Sequence, residues 1–136
     1  PVLETIGRIA KTECHMELTF LIIPGYNDSE QEWDDMIEWI TGNCGKDIVL
    51  HVSRYFPRHK LNKPPTPLTT IQKFMEKAIA QLRYVYPGNT PQMENHTYCP
   101  DCGHLLIERN LYKTMIPGLG EEGSCSHCNY RIYGSF

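Results

Sequence analysis

The chain has 136 residues, 40% of them hydrophobic and 21% charged, with a formal net charge of −3. That length suits one ordinary domain, or one small domain with an appendage. The acidic balance argues against a nonspecific binder of nucleic acid or of an anionic membrane, and no apolar run approaches the roughly 18 residues of a membrane span.

Leu3, Ile6, Ile9 and Ala10 recur at helical spacing and predict a helix over residues 2–12. The first residue is Pro1 and this periodicity is already under way, so the chain is expected to start inside a larger protein. There is no signal-peptide pattern at this start; the cysteine spacing, two C-x-x-C pairs and two lone cysteines, reads as intracellular, and a cytoplasmic location is expected. Leu18–Ile23 is a short, apolar, partly β-branched run halted by Pro24-Gly25, and reads as a buried strand. Ser29 and Glu32 form a capping box ahead of Trp33, Met36, Ile37 and Ile40, which predicts a helix ending at Gly42-Asn43. A second buried strand follows in "DIVLHVSRY".

Residues 56–67 are rich in Pro, Lys and Arg. Thr66 is the candidate N-cap, and Pro67 the candidate first residue, of a third helix carrying Leu68, Ile71, Phe74, Met75, Ala78, Ile79 and Leu82. "RYVYPGN" is a third short strand. Strands alternating with helices imply crossover units and a parallel sheet, an α/β class. Three strands cannot close a barrel, and they leave an edge open to pairing. The expected organisation is an α/β unit over 1–92 and a cysteine module over 93–136, with the boundary in "GNTPQMENH".

The module carries Cys99 and Cys102 in "CPDCG", then Cys125 and Cys128 in "CSHC", with 22 residues between the pairs. Two C-x-x-C turns separated by the strand "HLLIER" and the Gly-rich "GLGEEG", then a return strand "RIYGS", describe a zinc ribbon. Gly103 accepts the unusual backbone angle that such a turn needs. Four thiolates default to tetrahedral zinc and leave no open coordination position, so the metal is expected to be structural. A rubredoxin-type iron centre uses the same two turns and stays open. His96, His104 and His127 lie beside the cysteines and read as neighbours rather than ligands. Cys14 and Cys44 stand apart as free thiols. The module is slightly acidic, which makes nucleic acid the lesser partner.

His51, Arg54, Arg58, His59, Lys60 and Lys63 concentrate basic groups around the long segment after the second strand. Strand-to-helix loops usually run to about six residues, and this one is nearly twice that. It reads either as a loop for an anionic ligand or as a Pro-stiffened, solvated surface. His51 falls within a strand and is expected to be a hydrogen-bonded core residue. Asp28 reads as a neighbour of a helix cap. Glu30, Glu32, Asp34 and Asp35 read as the polar face and acidic start of a helix.

In this order, "LTFLIIPGYNDSEQE", "HVSRYFPRHKLNKPPTP", "RYVYPGN" and "NHTYCPDCGHLLIER" resemble the C-terminal half of the AmmeMemoRadiSam radical SAM enzyme, a family related to pyruvate formate-lyase activating enzymes. The resemblance covers nearly the whole chain. It implies the C-terminal part of a partial (β/α)6 TIM-like barrel with a zinc-ribbon tail. It also implies a full-length parent whose [4Fe–4S] cluster cleaves S-adenosylmethionine to a 5′-deoxyadenosyl radical that takes hydrogen from a substrate. By the same resemblance, Thr19, Leu21, Tyr55 and Phe56 would touch S-adenosylmethionine. The partners would be the missing N-terminal half of the barrel and Memo-like and AMMECR-like proteins. An activating enzyme typically has Arg where Thr19 stands and His where Phe56 stands. The C-x-x-x-C-x-x-C cluster motif is absent from these 136 residues, so this chain is not expected to bind the cluster.

Overall fold

Three apolar segments pair side by side in parallel: β1 (Glu17–Ile22), β2 (Val49–Arg54) and β3 (Tyr84–Gly88), in the order β1-β2-β3. Their register sets Thr19 beside His51 and His51 beside Tyr86, and in the next row Phe20 beside Val52 and Val52 beside Pro87. The computed structural model describes residues 1–134. The chain falls into two units that divide between Thr90 and Pro91.

In the first unit the helices are α1 (Val2–Ile9), α2 (Glu30–Cys44) and α3 (Leu68–Ile79). Side chains alternate across a strand, so Leu18, Phe20 and Ile22 share one face with Leu50 and Val52. That face takes the helices. Trp33 of α2 meets Phe20 edge-on with ring centres 5.3 Å apart, and lies 4.7 Å from Phe74 of α3. Ile22, Trp33, Ile37, Val52, Ile71 and Phe74 are at most 1% exposed and form the centre of the core. Burying side chains of this size contributes about 1.5–3 kcal/mol each. Between the polar ends of α2 and α3, Lys73 pairs with Glu30 at 2.5 Å and Lys77 with Asp34 at 2.6 Å. Of the four acidic residues expected to be helix surface, Glu30 and Asp34 therefore tie two helices together.

Several local expectations change, and among them the third helix ends at Ile79, short of Leu82. The first helix stops at Ile9, not residue 12, and buries none of its residues. Its apolar side borders a groove of about 240 Å³ lined by Val2, Ile6, Leu18, Phe20, Met36 and Ile40. The second helix runs through Gly42 and ends where Gly45 adopts φ 83°. Its start is as expected, with the Glu32 N–H donating to Ser29 Oγ. Thr66 does not cap the third helix, whose N-cap is Pro67. The Thr66 hydroxyl is fully buried, accepts from the Tyr55 N–H at 3.0 Å and donates to the Ile22 carbonyl at 2.5 Å. A hydroxyl that satisfies two otherwise orphaned backbone groups in a dry site is worth more there than as a cap.

The second unit contains β4 (Thr97–Tyr98), β5 (Leu105–Asn110) and β6 (Lys113–Met115), an antiparallel sheet in the order β4-β5-β6, and a 3-10 turn at Glu121–Gly123. The expected return strand is reduced to one bridge, Arg131 to Ser124, and its last residue, Ser135, lies outside the described residues. Among the described residues, the buried apolar side chains of this unit are Cys99, Leu106, Cys125 and Ile132. Domains near ~40 residues rarely fold on so small a core without a staple.

Candidate metal centre and the helix-free sheet face

The two C-x-x-C turns have the same backbone wiring. The Cys99 N–H donates to the His104 carbonyl at 2.8 Å, and the Gly103 N–H to the Cys99 carbonyl at 2.9 Å. In the second turn the Cys125 N–H donates to Tyr130 at 2.8 Å, and the Asn129 N–H to Cys125 at 2.9 Å. The spacings are identical. Gly103 and Asn129 hold the equivalent positive-φ position, at 72° and 61°. Asn is among the few L-residues that enter this region readily. Each turn aims two sulfurs inward, and the His127 N–H points back at Cys125 Sγ, 3.4 Å away.

The four Sγ atoms lie within 4.8 Å of one another. Cys99 Sγ is 3.6 Å from Cys128 Sγ, and Cys102 Sγ is 3.7 Å from Cys125 Sγ. A tetrahedron with Zn–S bonds of ~2.3 Å has S···S edges of about 3.8 Å. A disulfide would need about 2.05 Å. The donor set and its spacing therefore fit one tetrahedral thiophilic cation.

The four thiols are close enough to affect one another's ionisation. Desolvation opposes the Cys125 thiolate, but the backbone N–H groups of Cys128 and His127 and the Cys102 thiol outweigh it and bring Cys125 down to about 7. The N–H of Tyr130 favours a Cys128 thiolate, yet desolvation and the thiols of Cys102, Cys99 and Cys125 push it far up. One sulfur ionises at the expense of its neighbour, and a dication removes that competition.

The neighbouring histidines are not in the donor set. His96 Nδ1 accepts from the Arg109 N–H at 3.1 Å, while the rings of His104 and His127 stack with centres 5.5 Å apart. Of the remaining thiols, Cys14 is exposed and Cys44 is half-buried, where burial pushes its thiol up and makes it a poor nucleophile.

In the first unit, Thr19 and Leu21 lie on the sheet face opposite the helices, and both are exposed, Leu21 at 40%. Glu17 and His51 share that face. His51 Nε2 is 2.7 Å from Glu17 Oε2, and His15 Nε2 is 3.1 Å from Glu17 Oε1. The bonds from His51 and His15 hold the Glu17 carboxyl below its ordinary value. His51 is thus hydrogen-bonded as expected, but on an open face and not in a core. Tyr55 is 5% exposed, and its hydroxyl donates to the Leu61 carbonyl at 2.6 Å. Phe56 is 42% exposed beneath the Arg54 guanidinium, 4.7 Å from the ring centre. Thr19 and Leu21 are therefore available to a ligand on the open face, whereas the Tyr55 hydroxyl is already engaged in anchoring a loop. Sequence reasoning missed two residues: Thr66, whose signal was misread as a cap, and Asn129, whose signal was its place directly after Cys128, matching Gly103.

No family model matches the chain, and no solved structure does. The chain is 40% identical over 136 residues to the uncharacterized protein MJ0808 of Methanocaldococcus jannaschii. The match takes in 97% of this chain and 41% of that relative, so the chain spans less than half the relative's length. Among the described residues, no helix is long and apolar enough to cross a membrane.

Proposed function

We propose that this chain is the C-terminal part of a cytoplasmic radical SAM enzyme, and that Cys99, Cys102, Cys125 and Cys128 carry a structural zinc outside its chemistry. The observation that carries the zinc assignment is the set of S···S separations at 3.6 and 3.7 Å, which suits a closed four-thiolate tetrahedron. With four protein ligands the metal offers substrate no open position. Chemistry then falls to the α/β unit.

Two features support the barrel reading of that unit. Its core helices pack on one face of a parallel sheet, as in the outer ring of a (β/α) barrel, whereas doubly wound folds cover both faces. The other face exposes Thr19 and Leu21, the positions that the family resemblance assigns to S-adenosylmethionine. The [4Fe–4S] cluster does not fit this chain. Beyond the four grouped thiols only Cys14 and Cys44 remain, 30 positions apart. In this reading a missing half-barrel supplies the cluster, and Memo-like and AMMECR-like proteins are the partners.

The longer relative provides the test. Purified without oxygen and reduced, it is expected to yield methionine and 5′-deoxyadenosine from S-adenosylmethionine. A cluster-loaded preparation that leaves S-adenosylmethionine intact contradicts the proposal.

A second reading, a ribbon module that acts by protein contact without catalysis, has its own support. The β5–β6 hairpin tip exposes Leu111 at 83% and Tyr112 at 104%, followed by Ile116 at 60%. Apolar side chains grouped in this way mark interaction surfaces. Replacing Leu111 and Tyr112 of this chain with Ser abolishes partner capture in the contact reading and changes nothing in the enzymatic one.

A further inference from the structure

We infer that the β2–α3 loop is a binding site for a small anionic ligand bearing phosphate or carboxylate groups. The inference does not depend on the S-adenosylmethionine reading.

Residues 56–67 contain Arg58, Lys60 and Lys63 and no Asp or Glu, in a chain whose overall charge is −3. Elsewhere among the described residues of this unit Arg8 pairs with Glu4, Lys73 with Glu30, Lys77 with Asp34 and Arg83 with Asp47, while Lys11 and Lys46 stand alone at separate places on the surface. Among the described residues, none of Arg58, Lys60 and Lys63 has a carboxylate partner. Lys63 is moreover half-buried, with its ammonium 5.2 Å from the centre of the Tyr26 ring. The ring places this ammonium without neutralising it, so it stays able to meet an anion.

The loop is also built, not slack. Tyr55 Oη holds the Leu61 carbonyl, Arg54 Nε donates to the Thr66 carbonyl at 2.7 Å, and Thr66 bridges β1 to β2. Between these anchors a tight turn bridges Arg58 to Leu61, with His59 at φ 55°. The turn thus carries Arg58, His59 and Lys60 together into solvent, and all three are exposed. The loop leaves the carboxyl end of β2. The Lys63–Tyr26 contact brings it against the loop leaving the carboxyl end of β1. In open parallel sheets, ligands bind outside these strand ends. Exposed Tyr26 and Phe56 add ring faces beside the cations.

The ligand that fits is a small oligoanion that several cations can share. A deep pocket is not needed when charges converge from a pinned turn. The nearby Glu17 is at the opposite, amino end of β1 and does not compete for these cations.

The test is calorimetric titration of the intact chain with inorganic pyrophosphate and, separately, with citrate. The variants are R58Q/K60Q/K63Q and a control of equal charge change, K11Q/K46Q/K113Q. None of the three loop side chains makes a hydrogen bond on which the fold rests, so circular dichroism should match wild type. Saturable binding of either anion that weakens at least tenfold in the loop variant and less than twofold in the control supports the site. A response to pyrophosphate alone identifies phosphate as the preferred group, and to citrate alone carboxylate. No saturable binding of either anion, or equal weakening in both variants, overturns the inference.

Discussion

Asn129 and Gly103 answer the same demand in the two cysteine turns, since each must hold positive φ so that its own N–H and the C=O of the residue after it close the knuckle. Asn129→Gly should therefore be nearly neutral. Asn129→Val should cost about 1–3 kcal/mol, because a β-branched residue is strained there. The thermal midpoint of the zinc-loaded chain distinguishes the two. Thr66→Val keeps the shape of Thr66 but removes the partner of Tyr55 N–H and Ile22 C=O. Each stranded buried group costs about 1–3 kcal/mol, so urea unfolding should show a loss of several kcal/mol, against almost nothing for the exposed Thr69→Val. Glu17 makes a gentler, pH-dependent contribution. Its folded pKa lies below the ordinary value, so its stabilisation is fully present above that value and disappears as pH falls through the lowered one. Glu17→Gln should lower the midpoint slightly at neutral pH, by less than about 1 kcal/mol because the pair is half exposed, and match wild type in acid.

Elements were easier to read than their ends. The three strands and three helices of the first unit follow from apolar runs and helical spacing, because Trp33, Ile37, Ile71 and Phe74 have to meet one sheet face and their periods record it. Ends depend on single backbone angles and on distant partners. Gly42 is compatible with a helix as well as with its stop, and only the positive φ of Gly45 decides between them. Thr66 carries the local signature of a cap while its partners are Ile22, the last residue of β1, and Tyr55, directly after β2, which no local window contains. The first helix has a clear apolar stripe, yet the stripe cannot tell that α1 buries none of its residues. At this scale the joint between α2, α3 and the sheet is Trp33. Trp33→Ala should lose about 3–5 kcal/mol in urea unfolding, whereas Val2→Ala on α1 should lose less than about 1.

For the whole molecule, the candidate metal site was legible almost completely, because C-x-x-C spacing encodes its own geometry. The helix-free sheet face was legible only as an open sheet, because alternation gives two faces without saying which one helices cover. What organises the second unit is four sulfurs and little else, with Leu106 and Ile132 as the main apolar burial beside them. Its structure should consequently depend on metal in a way that the first unit's does not. A strong chelator should erase the dispersed amide signals of residues 97–132 while those of β1–β3 persist. The most direct measurement is the metal content of the purified chain with a count of reactive thiols. The account predicts one zinc per chain, with four thiols protected until the chelator is added. Iron in a red preparation, or four thiols reactive from the outset with no metal bound, would contradict it.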